Sequence, residues 1–178
     1  MPVRLPYLPA DLAEPRELVD AIRKRRGGAL LHLDRQLLHS PPIAAGWNQL
    51  LGAVRTQLAL SPKLRELAMC GVAVLNDADY EYVHHVPVLL ANGGTQAQAD
   101  ALRDMDRAAA DMALFDETER AVLALTIAMT RDVRVSDETF ARARAQMPDD
   151  QQMFELIATI AAYNMVSRIL VAIGVQPE

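Results

Sequence analysis

Apolar residues recur at intervals of three and four positions along almost the whole chain, and no segment alternates apolar and polar residues as a half-buried strand does. This periodicity predicts amphipathic helices, which are bounded here by capping residues, prolines and glycine pairs. About nine helices follow, over 14–26, 29–39, 43–58, 62–76, 79–92, 96–105, 117–131, 137–147 and 150–173. The sequence therefore predicts an all-α protein.

Several predicted helices begin with residues suited to a helix N-terminus. Ser61 and Pro62 are typical of an N-cap followed by proline at the first helical position. Capping-box spacing occurs at Thr95 with Gln98 and at Asp116 with Glu119. The short link between the helices 62–76 and 79–92 leaves little room for any arrangement except antiparallel packing.

The composition of the chain indicates one globular domain. Two of the predicted helices indicate that the protein associates with copies of itself. The chain has 178 residues, of which 51% are apolar and 23% are charged. We expect helices within 1–60 to pack on a core formed by 61–178. The helices 117–131 and 150–173 are apolar on several faces, and such helices need cover on all sides. We therefore expect a homo-oligomer whose interface includes one of them; a monomer with a few central helices is the alternative.

The net charge and the N-terminal residues bear on which partners and which cellular location we expect for the protein. The net charge is −5, and the basic cluster 23–26 suits the C-terminal end of a helix, so nucleic acid is not an expected partner. We find no run of about 18 uncharged apolar residues, and we expect no membrane span. The N-terminus lacks the basic start and long apolar run of a secretory signal, which favours a cytoplasmic location.

Metal and cofactor chemistry find little support in the sequence. The single cysteine, Cys70, excludes an internal disulfide or a C-x-x-C site, and its apolar neighbours are typical of a core residue. No glycine motif for phosphate or dinucleotide binding occurs. Glu81 and His85, with His84 or Glu66, would supply three metal ligands, but no zinc-binding spacing supports this interpretation. We expect no metal ion and no cofactor. We expect the substrate to be a small molecule.

A carboxylate and imidazole set is the strongest candidate for chemistry. Glu66 lies in an otherwise apolar helix, and Glu81 and His85 are four residues apart on one face of the next helix. Burial and neighbouring charges can tune such groups towards neutral pH, as general acid–base catalysis requires. The alternative is structural: Glu66 pairs with Arg65 or Lys63, and the pair in the next helix is an ordinary surface pair.

Two segments resemble the carboxymuconolactone decarboxylase family, which includes the alkylhydroperoxidase D-like proteins. The first is PKLRELAMCGVAVLNDADYEYVHHVPVLLANGGT, over 62–95. The second, over 155–175, is ELIATIAAYNMVSRILVAIGV, which is similar to the family ending A-x-Y-N-x-x-x-R-x-x-x-A-x-G-V. The resemblance implies a single-domain helical bundle of the alkylhydroperoxidase D-like type.

The resemblance breaks at the two cysteines of the peroxidase branch. In that branch a glutamate is followed by C-x-x-C and then by a histidine. Counted from Glu66, the cysteine positions hold Ala78 and Glu81, and the histidine position holds His85. Both thiols of the peroxidase mechanism are therefore absent, and thiol peroxidase activity is not expected.

What remains resembles the decarboxylase branch, which implies cofactor-free lyase chemistry on a small organic acid or lactone, of a decarboxylase or isomerase kind. In this interpretation His85 donates a proton to a carbon atom of the substrate. Glu81 orients or ionises His85, and Glu66 assists. The suggested substrate-binding side chains are Tyr80 and Tyr82 for an oxygen and Arg168 or Arg65 for a carboxylate. The alternatives are an alkylhydroperoxidase-like antioxidant protein and a non-catalytic oligomeric relative.

Overall fold

The computed structural model describes residues 2–178, and within that range all regular secondary structure is helical. The helices are α1 (Arg16–Arg26), α2 (His32–Leu37), α3 (Pro41–Thr56), α4 (Pro62–Leu75), α5 (Asp79–Ala91), α6 (Gln96–Ala101), α7 (Met105–Ala110), α8 (Glu117–Arg131), α9 (Asp137–Gln146) and α10 (Asp150–Ile173). The predicted all-α fold is confirmed, with ten helices in the described residues where about nine were predicted.

The additional helix arises where one helix was predicted over 96–105. That prediction is wrong, because α6 ends at Ala101 and a new helix begins after Asp104. The Asp104 side chain accepts a hydrogen bond from the backbone N–H of Arg107 at 3.1 Å, which makes it the N-cap of α7. A local cap thus interrupts a pattern that reads as continuous from hydrophobic spacing alone.

Two of the predicted helix starts have the geometry of a capping box. The Thr95 hydroxyl accepts from the N–H of Gln98 at 3.1 Å, and the Gln98 Oε1 atom accepts from the N–H of Thr95 at 3.2 Å. Asp116 and Glu119 make the same reciprocal pair at the start of α8. Ser61 differs: its side chain makes no capping hydrogen bond, and proline at the first position opens α4 without one.

The chain divides into two compact units. One comprises the chain up to Gln57 together with Ala172–Glu178, and the other comprises Leu58–Val171. In the first unit Tyr7 contacts the C-terminal segment, because its hydroxyl accepts a hydrogen bond from the N–H of Gln176. The Tyr7 ring also stacks on His32, with ring centroids 4.3 Å apart. The prediction of one domain overall stays a prediction.

The second unit is built around α4. This helix is buried continuously from Arg65 to Ala73 and packs against both α5 and α8. The hydrophobic core of the second unit includes Leu67, Cys70, Ala73, Ala78, Tyr82, Leu89, Leu102, Phe115 and Leu123. A three-residue link joins α4 to α5 and reverses the chain direction, so that the two helices lie side by side as predicted.

Helix α10 is long and apolar enough to cross a membrane by length and composition, when up to two charged residues are allowed. This is weak evidence, because the core helix of a water-soluble protein passes the same test. One face of α10 lies in the core of the second unit, with Leu156, Ile160, Tyr163 and Ser167 fully buried.

Candidate functional site

A buried hydrogen bond between side chains joins α4 to α5. The His85 Nδ1 atom lies 2.7 Å from the Glu66 Oε2 atom, and both side chains are buried. The other carboxylate oxygen of Glu66 lies 3.5 Å from the Arg65 Nε atom, in an ion pair. A buried carboxylate is stable only when it is paired, and here a histidine and an arginine surround it. The two helices therefore bring two of the predicted site residues into direct contact.

The second nitrogen of His85 meets a residue that the sequence did not single out. The Tyr163 hydroxyl of α10 lies 3.0 Å from His85 Nε2, and the two rings meet edge to face with centroids 4.9 Å apart. With Glu66 accepting from Nδ1–H, the bare Nε2 accepts from the tyrosine O–H. His85 is thus held at both ends, between a carboxylate and a phenol.

Glu81 is held by the next turn of α10. The Ser167 hydroxyl donates to Glu81 Oε2 at 2.8 Å, and the Tyr163 carbonyl, at 2.9 Å, is its alternative acceptor. Residues four apart share a helix face, so Glu81 and His85 on α5 meet Ser167 and Tyr163 on α10 in register. The available signal was the second segment that resembles the family ending, which contains both α10 residues.

Cys70 lies inside the core of the second unit and has no exposed surface. Burial raises the pKa of its thiol, and the carboxylates of Glu66 and Glu81 raise it further by disfavouring a second negative charge. Arg103 acts weakly in the opposite direction. The thiol is therefore protonated at neutral pH, which is the unreactive form.

Tyr80 and Tyr82, predicted to contact the substrate, are both buried and both make intramolecular contacts. Tyr80 stacks on His84 with ring centroids 4.2 Å apart. The Tyr82 hydroxyl donates to the Ala99 carbonyl at 2.6 Å, and the Arg103 guanidinium lies 3.7 Å from the centre of its ring. Their role in substrate binding stays a prediction.

Arg168 lies on the exposed side of α10 and donates to the backbone and side-chain oxygens of Asn164. Asn164 in turn donates to Thr130 and accepts from Asn76. This polar network joins α10 to α8 and to the end of α4. The proposed contact of Arg168 with a substrate carboxylate also stays a prediction.

The described residues contain no group of three or more histidine, cysteine, aspartate or glutamate side chains placed to hold a metal ion.

Solved structures of the same architecture define the fold class. A peroxidase-related protein from Silicibacter sp. TM1040 superimposes with a TM-score of 0.80 and 17% identity, over 99% of this chain and 91% of that one. The debrominase Bmp8, in a cysteine-to-alanine variant bound to 2,3,4-tribromopyrrole, gives 0.80 and 17% over 100% and 93%. A protein from Agrobacterium tumefaciens described as a putative antioxidant defence protein AhpD gives 0.72 and 20% over 80% and 95%. At these identities the likeness shows the fold, which is that of the alkylhydroperoxidase D-like proteins.

Residues 41–116 match the carboxymuconolactone decarboxylase family, and the resemblance stated from the sequence is confirmed. This segment contains α4 and α5, and hence Glu66, Glu81 and His85. No curated protein matches the sequence.

Proposed function

We propose that the protein catalyses cofactor-free proton transfer on a small organic acid or lactone, of the decarboxylase or isomerase kind, with His85 as the proton-transfer group. The observation that carries this proposal is the position of the His85 imidazole between the Glu66 carboxylate and the Tyr163 hydroxyl. A carboxylate on one nitrogen fixes the tautomer of the ring and stabilises the imidazolium that forms on proton uptake.

The phenol supports this role because it can pair with His85 in either protonation state. It donates to the bare Nε2 of the neutral ring, and it accepts from Nε2–H once the ring is protonated. The Nε2 atom of His85 therefore has a hydrogen-bond partner in both states, whereas a buried polar atom without one would cost about 1–3 kcal/mol. His85 retains some exposure, at 9%, whereas Tyr163 has none. In this proposal a substrate reaches His85 rather than Tyr163, since only His85 retains exposed surface.

Glu66 and Glu81 have separate roles in this proposal. Glu66 orients and stabilises His85, since it makes the direct contact. Glu81 is the second carboxylate of the site, held in place by Ser167, and is proposed as the partner acid or base. Two carboxylates and one imidazole can deliver and remove a proton without a metal ion.

The alternative of an alkylhydroperoxidase-like antioxidant protein draws on the descriptions of the structural neighbours. The chemistry of this chain argues against it, because Ala78 and Glu81 replace the two thiols and Cys70 is buried with a raised pKa. A thiolate is the form that attacks a peroxide.

The test measures deuterium exchange from solvent and loss of carbon dioxide by NMR, over a panel of γ-lactones, β-keto acids and unsaturated diacids. His85→Gln and Glu66→Gln are expected to lower turnover at least 100-fold, the usual scale of general acid–base catalysis. His84→Gln is the matched histidine control, and Cys70→Ser is the thiol control; both should retain turnover.

Loss of turnover in the Cys70→Ser variant, with the fold retained, would contradict the proton-transfer proposal and favour thiol chemistry. Absence of exchange with every member of the panel, together with unchanged His85 titration in their presence, would favour a non-catalytic relative.

A further inference from the structure

Two arginines at the C-terminal end of α1 share one buried carboxylate. Asp34 of α2 is 1% exposed, and it accepts from the Arg26 Nε atom at 3.0 Å and from the Arg26 Nη2 atom at 3.2 Å. The Arg25 Nη2 atom lies 3.4 Å from the same carboxylate, which also accepts from the N–H of Leu31. Because the planar fork of Arg26 already pairs with Asp34, the second arginine adds a positive charge that this carboxylate does not neutralise.

Arg25 is held in place mainly by a neutral group. Its Nε atom donates to the Oδ1 atom of Asn48 in α3 at 2.6 Å, a shorter contact than the one with Asp34. Burial is the main cause that lowers the pKa of Arg25 to about 10, and the cations Arg26 and Arg55 lower it further while Asp34 opposes them. The charges that act on Arg25 are thus two cations and one anion.

The guanidinium groups of Arg25 and Arg26 retain unused donors. Their hydrogen bonds use the Nε and Nη2 atoms, and neither Nη1 group donates to another residue within 2–178. The two side chains are 19% and 17% exposed, so a small solute can reach them, while burial of the remainder limits screening by water. Fixed and partly buried guanidinium groups with free N–H donors are suited to an oxyanion.

We propose that Arg25 and Arg26 of α1, together with Arg55 of α3, bind a tetrahedral oxyanion of the phosphate class, either inorganic phosphate or the phosphate group of a small molecule. Guanidinium groups on two helices can approach a tetrahedral anion from different sides, whereas a carboxylate offers only two oxygens in one plane. All three arginines belong to the first compact unit, and the proposed proton-transfer site uses none of them. A bound anion would offset the repulsion among the cations and so stabilise the folded chain.

The first test titrates the unmodified chain with inorganic phosphate at constant ionic strength, with chloride as the balancing anion. We expect saturable shifts of the Nε–Hε NMR signals of Arg25 and Arg26, and a rise in melting temperature. Acetate is expected to bind roughly tenfold more weakly than phosphate, because it carries less charge on fewer oxygens. Phenyl phosphate separates the two sources of the group: tighter binding than phosphate supports a phosphate ester, and weaker binding supports the free anion.

The second test compares two variants that each remove one positive charge. Arg25→Gln leaves Arg26 paired with Asp34, and is expected to weaken phosphate binding roughly tenfold or more. Lys24→Gln, at the adjacent exposed position, is the matched control and should bind phosphate as the unmodified chain does. Circular dichroism checks that both variants keep their helices, and no readout depends on catalysis.

Absence of saturable phosphate binding by the unmodified chain would overturn the proposal, whatever the variants do. Equal losses in Arg25→Gln and Lys24→Gln would also overturn it, because they would indicate a diffuse effect of surface charge. Sedimentation of the chain with phosphatidylserine vesicles, without any binding of inorganic phosphate, would assign the arginines to a membrane surface and would equally overturn the small-anion site.

Discussion

At the scale of single residues, the burial of His85 requires a hydrogen-bond partner for each nitrogen of its ring. A buried imidazole needs a hydrogen bond at each nitrogen, and the chain supplies a carboxylate and a phenol from two different helices. The carboxylate carries the negative charge, so the proton of the neutral ring lies on Nδ1. The tautomer of the ring follows from the position of the Glu66 carboxylate at Nδ1 and of the Tyr163 hydroxyl at Nε2.

We predict that His85 is found as the Nδ1–H tautomer in its neutral form, because Glu66 accepts at Nδ1 and Tyr163 donates to Nε2. Long-range ¹H–¹⁵N correlation spectra measure this directly. Tyr163→Phe removes the hydroxyl with little change of shape and is expected to destabilise the fold by about 1–2 kcal/mol. An Nε2–H tautomer in the unmodified protein would contradict the assignment of roles.

We predict that Cys70 is unreactive in the folded protein, since burial and two nearby carboxylates raise its pKa. A disulfide-exchange reagent at pH 8 should modify it only on the timescale of unfolding, and guanidinium chloride should make the reaction immediate. Rapid labelling of the native protein would mean that the thiol is accessible and that thiol chemistry needs to be reconsidered.

At the scale of helices, α4 carries a glycine in its most crowded part. A Cβ atom at Gly71 would lie 2.8 Å from the Met105 Cε atom and 3.3 Å from the Thr126 Cγ2 atom. Glycine permits α7 and α8 to approach α4 at this point. The methionine end can move aside, but the β-branched threonine is buried in α8 and has little freedom.

We predict opposite effects for alanine at two helical glycines. Gly52→Ala in α3 meets nothing within 4 Å and should stabilise the protein by roughly 0.5–1 kcal/mol through backbone entropy. Gly71→Ala gains the same entropic stabilisation, but the added methyl group overpacks the core at a cost of about 1–3 kcal/mol. The net effect of this substitution should therefore be destabilising. Chemical denaturation of the pair measures the difference; equal stabilisation by both would mean that the helix contacts relax freely.

At the scale of the whole molecule, Glu155 joins parts of the second unit that are far apart in sequence. Its carboxylate accepts from the N–H of Leu60 at 2.7 Å, across 95 positions, and from the side chain of Gln151. Burial opposes its ionisation, but these hydrogen bonds and one from the Ala59 N–H outweigh burial and hold the pKa of Glu155 below its usual value.

We predict a contribution of Glu155 to stability that disappears in acid. Because its pKa is lower in the folded state, the contribution is fully present above the unfolded pKa of about 4.3 and is lost as the pH falls through the folded pKa. Glu155→Gln should lower the unfolding free energy by about 1–3 kcal/mol at pH 7 and flatten its pH dependence below about pH 4.3. Glu138→Gln, at an exposed position of α9, is the matched control and should change neither quantity.

The sequence alone determined the helical class, most helix starts and the pairing of α4 with α5, because these depend on local spacing. Periodicity and capping residues act over one or two turns, and a three-residue link leaves adjacent helices one arrangement. The contact of Glu66 with His85 was within reach for the same reason, since both residues lie in helices that are consecutive along the chain.

Only the tertiary structure decided what completes the site. Tyr163 and Ser167 lie 78 and 86 positions from the residues they bind, and hydrophobic spacing does not distinguish them from other side chains of an apolar helix. The same limit applies to Ala172–Glu178, which belongs to the compact unit of the N-terminal helices. Local spacing specifies which face of a helix is apolar, whereas the partner of that face depends on chain packing across long sequence separations.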